Sequence, residues 1–128
     1  MKKRKSVLAY IEDIQTSISR IEQYLEGVEI ADLNEDYRIR DGIERNIEKI
    51  SEAVRRGLPD GLKDTEPDIP RRQIEDMGNV LRHEYDAIDL STLWQTATED
   101  IPIFKSSVQR MLSLDLEKFD LQKGLKRD

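Results

Sequence analysis

The sequence predicts an all-α fold: an antiparallel four-helix bundle with a short extra C-terminal helix. Three observations predict it. Apolar residues recur at intervals of three and four in four separate stretches, which places them on one face of a helix. The joins between those stretches are short and carry Gly27, Pro59, Gly61 and Pro67. Charged residues make up 38% of the chain against 37% hydrophobic and 5% aromatic, a balance suited to helices with one wet and one dry face. At 128 residues the chain is long enough to bury a core and is read as one domain, 1–128.

The first helix is expected from about Ser6 to Glu26. Val7, Ile11, Ile14, Ile18, Ile21 and Leu25 form its seam at 4-3-4-3-4 spacing, and Gly27 is the expected stop. The lysines ahead of it oppose the helix dipole and read as a solvated terminus. The second helix is expected to start near Asp32 or Asn34, both good N-caps. Ile39, Ile43, Ile47, Ile50 and Val54 mark its buried face, and Gly57 and Pro59 end it. Arg45, Glu48 and Glu52 read as a solvated face of i,i+4 pairs.

Leu58 to Ile69 reads as a loop. The third helix opens with Pro70 and carries Ile74, Met77 and Leu81 as its stripe. The fourth starts at Asp89 or Ser91, with Leu90, Leu93, Trp94, Ala97, Ile101, Phe104, Val108 and Met111 on one face. Trp94 and Phe104 are the expected core anchors, and Pro102 is expected to kink or split this helix. Leu114, Leu116, Phe119, Leu121 and Leu125 fit no single period and suggest the short terminal helix.

Composition narrows the chemistry. With no cysteine there is no disulfide, thiolate metal site or cysteine nucleophile. One histidine does not build a His-rich metal site. There is no glycine-rich phosphate loop and no nucleophile elbow. The expectation is that no metal or cofactor is needed. No apolar run approaches the ~18 residues of a membrane span. No apolar leader region follows the basic start, so a cytoplasmic protein is expected. The net charge of −6 argues against broad nucleic-acid binding, so any RNA must meet a local basic patch.

Groups capable of chemistry crowd into one stretch, Met77 to Asp86, which holds the sole histidine. At about 100° per residue, Asn79 and His83 fall opposite the apolar stripe and stand i,i+4 to each other. His83 therefore faces solvent, a second subunit or a cleft. Gly78 inside a helix costs about 1 kcal/mol against alanine, which points to close approach of another backbone or ligand. Arg82 projects to the same flank, to bind phosphate or to pair with Glu75 or Glu84. Arg71 and Arg72 add a basic patch that Glu75 and Asp76 nearly offset.

Several of these runs resemble a known family. Pro67-Asp68-Ile69-Pro70, then Met77-Gly78-Asn79-Val80-Leu81-Arg82-His83-Glu84-Tyr85-Asp86 and Asp89, looks like the HepT-like group of HEPN domains. Arg45 to Ala53, Leu93-Trp94 and Asp100-Ile101-Pro102 resemble the same family's second and fourth helices, and the likeness runs from about Val7 to Met111. The resemblance implies a helical bundle that forms a homodimer through its third helix. It implies a metal-independent ribonuclease with an Arg-x4-6-His motif lining the dimer cleft. It further implies a toxin whose partner is a nucleotidyltransferase-fold (MNT) antitoxin, which uses ATP to adenylylate a tyrosine two residues after the histidine. By match, His83 takes the catalytic position, Asn79 the polar position beside the arginine, and Tyr85 the modified position. The chain departs from the family at the arginine: Gly78 stands there, and positions 76 and 77 are Asp76 and Met77. Arg82 is the expected substitute cation, with Arg72 and Arg71 as further phosphate contacts. The alternative is a HEPN dimer that has lost cleavage and serves as an antitoxin- or nucleotide-binding module.

Overall fold

The computed structural model describes residues 5–83 and 88–120. Helix α1 (Val7–Leu25) begins where the Ser6 hydroxyl accepts from the Ala9 N–H, and Gly27 at φ 68° turns the chain after it. The Val7 N–H donates to the Asp120 carboxylate at 2.8 Å, which ties the far end of the described chain to the positive end of this helix.

The second apolar stretch begins later than its cap residues suggested. Asp32 turns its carboxylate back to the Glu29 N–H at 2.8 Å and so starts a separate short helix, α2 (Ile30–Glu35). Asp36 then accepts from the Arg38 N–H at 3.0 Å and caps the long helix α3 (Tyr37–Gly57). Two acidic residues each satisfy a local helix start, so one expected helix becomes two. The expected loop after α3 contains a single turn, α4 (Asp60–Lys63), held by fully buried Leu62.

Helix α5 (Arg71–His83) follows Pro70, whose carbonyl accepts from the Ile74 N–H at 3.2 Å. Helix α6 (Leu90–Gln95) is capped by Asp89, which accepts from the Ser91 N–H at 2.9 Å. A π turn over Thr96–Asp100 then leads into α7 (Ile101–Met111). The expected kink or split at Pro102 takes the form of this π turn: Pro102 follows it after Ile101, in a helical backbone that continues from α6 into α7. Residues 116–120 are helical, and Leu116 and Phe119 pack on the core. Leu121 and Leu125 lie outside the described residues.

The core forms because the apolar faces meet in a ring. α1 packs on α3, α3 on α5, α5 on the π turn, and α7 returns to α1. Ile11, Ile14, Ile21, Ile43, Ile47 and Ile50 are fully buried. Each is worth about 1.5–3 kcal/mol of burial, against at most ~1 kcal/mol for an exposed ion pair, so facing stripes rather than surface charges set the architecture. Phe104 is fully buried as expected, whereas Trp94 is only partly buried against the core. No strand occurs among the described residues, and none of their helices is long and apolar enough to cross a membrane.

Candidate active site

The site is organised by the crossing of α5 over α3. Gly78 is buried there, and a Cβ on it would stand 2.0 Å from Ser51 Oγ and 2.4 Å from Ser51 Cβ. No larger residue fits without moving the helices apart. The close approach offsets the glycine's helix cost. The same Cβ position lies 3.3 Å from Arg82 Nη1, so the guanidinium one turn later folds back over Gly78.

Arg82 is held from two sides. Its Nη2 donates to Asn79 Oδ1 at 2.6 Å, and its Nη1 lies 3.6 Å from Glu52 Oε2 on α3. Of the two partners expected for Arg82, Glu75 gives way to Glu52, and Glu84 lies outside the described residues. Asn79 is bonded to Arg82, not to His83, because the guanidinium reaches its amide oxygen across one turn. Arg82 Nη1 and Ser51 Oγ are buried without a hydrogen bond among the described residues.

Glu52 is the hub of this arrangement. It accepts two bonds from Arg55 Nη2, at 2.8 and 2.9 Å, and also pairs with Arg56. The Arg55 hydrogen bond, helped by the charges of Arg55, Arg56 and Arg82, holds its carboxyl below the usual range. Three guanidinium groups thus converge on one carboxylate.

His83 is the last residue of α5 and is exposed, as is Asn79. This fits a histidine that faces solvent or a cleft and rules out one satisfied in the core. Arg72 and Arg71 open the same helix, some ten residues or ~15 Å of helix rise before Arg82. The cations that share Glu52 with Arg82 are Arg55 and Arg56 of α3. Tyr85 lies outside the described residues.

Sequence reasoning missed a cleft of about 710 Å³ between α1 and α3, which Arg82 also lines. Arg20 of α1 and Arg45, Lys49, Arg55 and Arg56 of α3 border it. A signal was available: Arg45, Lys49, Glu52 and Arg56 fall within about 60° of each other at 100° per residue. Among the described residues, no group of three or more histidine, aspartate or glutamate side chains is placed to hold a metal ion.

The described residues form an all-α bundle of the HEPN-like class. The chain belongs to the HepT-like family, described as ribonuclease HepT-like, which matches residues 14–111. It is 32% identical over 108 residues to a probable ribonuclease HepT of Thermococcus cleftensis, covering 84% of this chain and 97% of that one. It is 26% identical over 117 residues to a candidate RNase of Methanocaldococcus jannaschii, covering 91% of this chain and 95% of the relative. A candidate RNase of Caldanaerobacter subterraneus is 26% identical over 108 residues, covering 84% and 96%. No solved structure matches the chain at a significant level.

Proposed function

We propose that this chain is the ribonuclease toxin of a HEPN/MNT toxin–antitoxin pair and that it cleaves RNA without a metal. The observation that carries the reading is Arg82, folded over Gly78 beside exposed His83, in a chain of the HepT-like ribonuclease family. Two copies pack through α5 and line one cleft, so each histidine and arginine is present twice.

The chemistry follows from those groups. A neutral His83 imidazole takes the proton from an RNA 2′-hydroxyl as its oxygen attacks the adjacent phosphorus. The bond from phosphorus to the 5′-oxygen breaks, and the His83 imidazolium of the other copy supplies that oxygen's proton. The products are a 2′,3′-cyclic phosphate and a 5′-hydroxyl. Arg82 carries the positive charge that stabilises the phosphorane. Asn79 positions the guanidinium through its 2.6 Å bond.

The partner is an MNT-type nucleotidyltransferase, which transfers AMP from ATP to the Tyr85 hydroxyl with release of pyrophosphate. Adenylylation of Tyr85, two residues after His83, silences the toxin. The toxin itself uses no cofactor and acts in the cytoplasm. Gly78 at the arginine position favours the second reading, a non-cleaving module that binds the antitoxin or a nucleotide.

Cleavage of a mixed RNA pool in excess EDTA tests the proposal. Wild-type protein is expected to cleave, and His83→Ala to lose at least ~10²-fold in rate, the usual worth of general acid–base catalysis. Equal cleavage by both proteins removes His83 from the reaction; no cleavage by either supports the binding module.

A further inference from the structure

The α1–α3 cleft has a charge opposite to that of the whole chain. Six arginine and lysine side chains, Arg20, Arg45, Lys49, Arg55, Arg56 and Arg82, line it together with Lys5. Only three carboxylates, Asp13, Glu48 and Glu52, share the lining, in a chain of net charge −6. Two of them are already engaged by arginines: Glu48 lies 3.6 Å from Arg45, and Glu52 is bonded to Arg55. Arg45 and Lys49 stand one turn apart, and Arg45 to Arg56 spans ~16 Å of helix rise. Arg82 of α5 joins the row at Glu52, 3.6 Å away, and His83 follows it in sequence.

We propose that this cleft is a binding track for the phosphate backbone of single-stranded RNA, leading the strand to Arg82 and His83. The ligand class rests on the ribonuclease reading above; the site rests on the charge and shape of the cleft. A strand needs cations in a row within a concave wall, not a flat patch, and α3 supplies that row. The acidic remainder of the surface repels the polyanion, so binding is confined to the track. Arg45 and Lys49 are exposed, so they serve the track without holding the fold.

The test is fluorescence anisotropy of a short labelled single-stranded RNA titrated with full-length protein over a range of salt concentrations. His83→Ala is the background, so that cleavage does not interfere. Arg45→Gln and Lys49→Gln should each weaken binding several-fold and lower the slope of log affinity against log salt by ~0.7, the value for one lost phosphate contact. The double variant should lose ~1.4 in slope. Lys105→Gln and Arg110→Gln, whose side chains pair with Glu22 and Glu66 away from the cleft, should bind as the background does. Wild-type slope in the double variant, or equal losses in the controls, overturns the track. Displacement of the RNA by far lower concentrations of ATP also overturns it, in favour of a single-nucleotide site. The two readings fail separately: loss of cleavage in His83→Ala with an unchanged slope in Arg45→Gln removes the track alone. A reduced slope with intact cleavage in His83→Ala removes the catalytic assignment alone.

Discussion

Arg82 lies over Gly78, its Nη1 3.3 Å from the point where a Cβ of residue 78 would stand. Ser51 closes that position to any side chain, at 2.0 Å from Oγ and 2.4 Å from Cβ. One helical turn later, Arg82 folds its guanidinium back over this crossing of α3 and α5.

That crossing is testable through stability. At an open helix position, glycine to alanine stabilises by ~1 kcal/mol. Gly78→Ala should instead destabilise by about 1–2 kcal/mol, because Ser51 Cβ cannot rotate away and the helices must separate. Combining it with Ser51→Gly should recover part of the loss, as a coupling above ~0.5 kcal/mol in a denaturant double-mutant cycle. A stabilising Gly78→Ala contradicts the crossing.

Glu52 makes stability depend on pH. Its folded carboxyl is held low by Arg55 and the neighbouring guanidinium charges. Its contribution is therefore present above the unfolded carboxylate range and is lost as pH falls through the folded value. Glu52→Gln should lower stability at neutral pH by about 1 kcal/mol or less, since the group is partly solvated. The gap between wild type and variant in thermal melts should close under acid. A gap independent of pH contradicts the hub role.

Tyr85 should gain the mass of one AMP when the chain is co-expressed with its cognate nucleotidyltransferase. Peptide mass spectrometry locates the adduct. Adenylylation of a peptide lacking Tyr85 contradicts the assignment.

The helix faces were legible because packing enforces a local period. Most residues that three-and-four spacing marks on α1, α3, α5 and α7 are buried. Leu25 and Ile39 are only partly so, and the small or polar Ser17, Asn46, Ser51, Ala53 and Ser107 are buried beside them. Gly78 was legible as a close approach, since a mid-helix glycine carries a cost that some contact must offset. That the approaching group is Ser51, some 27 residues earlier, was not, because the register between two helices is a tertiary property. The break at Asp36 was hidden by three capping residues competing within five positions, Asp32, Asn34 and Asp36. Arg45, Glu48 and Glu52 do form the expected short-range pairs. What spacing within α3 could not reveal is that Glu52 also reaches Arg82 on α5, so the apparent solvated face borders the site.

The central claim is that Arg82 supplies the cation for a reaction in which His83 moves the proton. Single-turnover cleavage of RNA in EDTA by Arg82→Ala, beside Arg110→Ala as a distant control, tests it most directly. Arg82→Ala should slow cleavage by ~10²–10³, the cost of one preorganised electrostatic donor, while Arg110→Ala keeps the wild-type rate. Equal rates for Arg82→Ala and wild type would contradict the account.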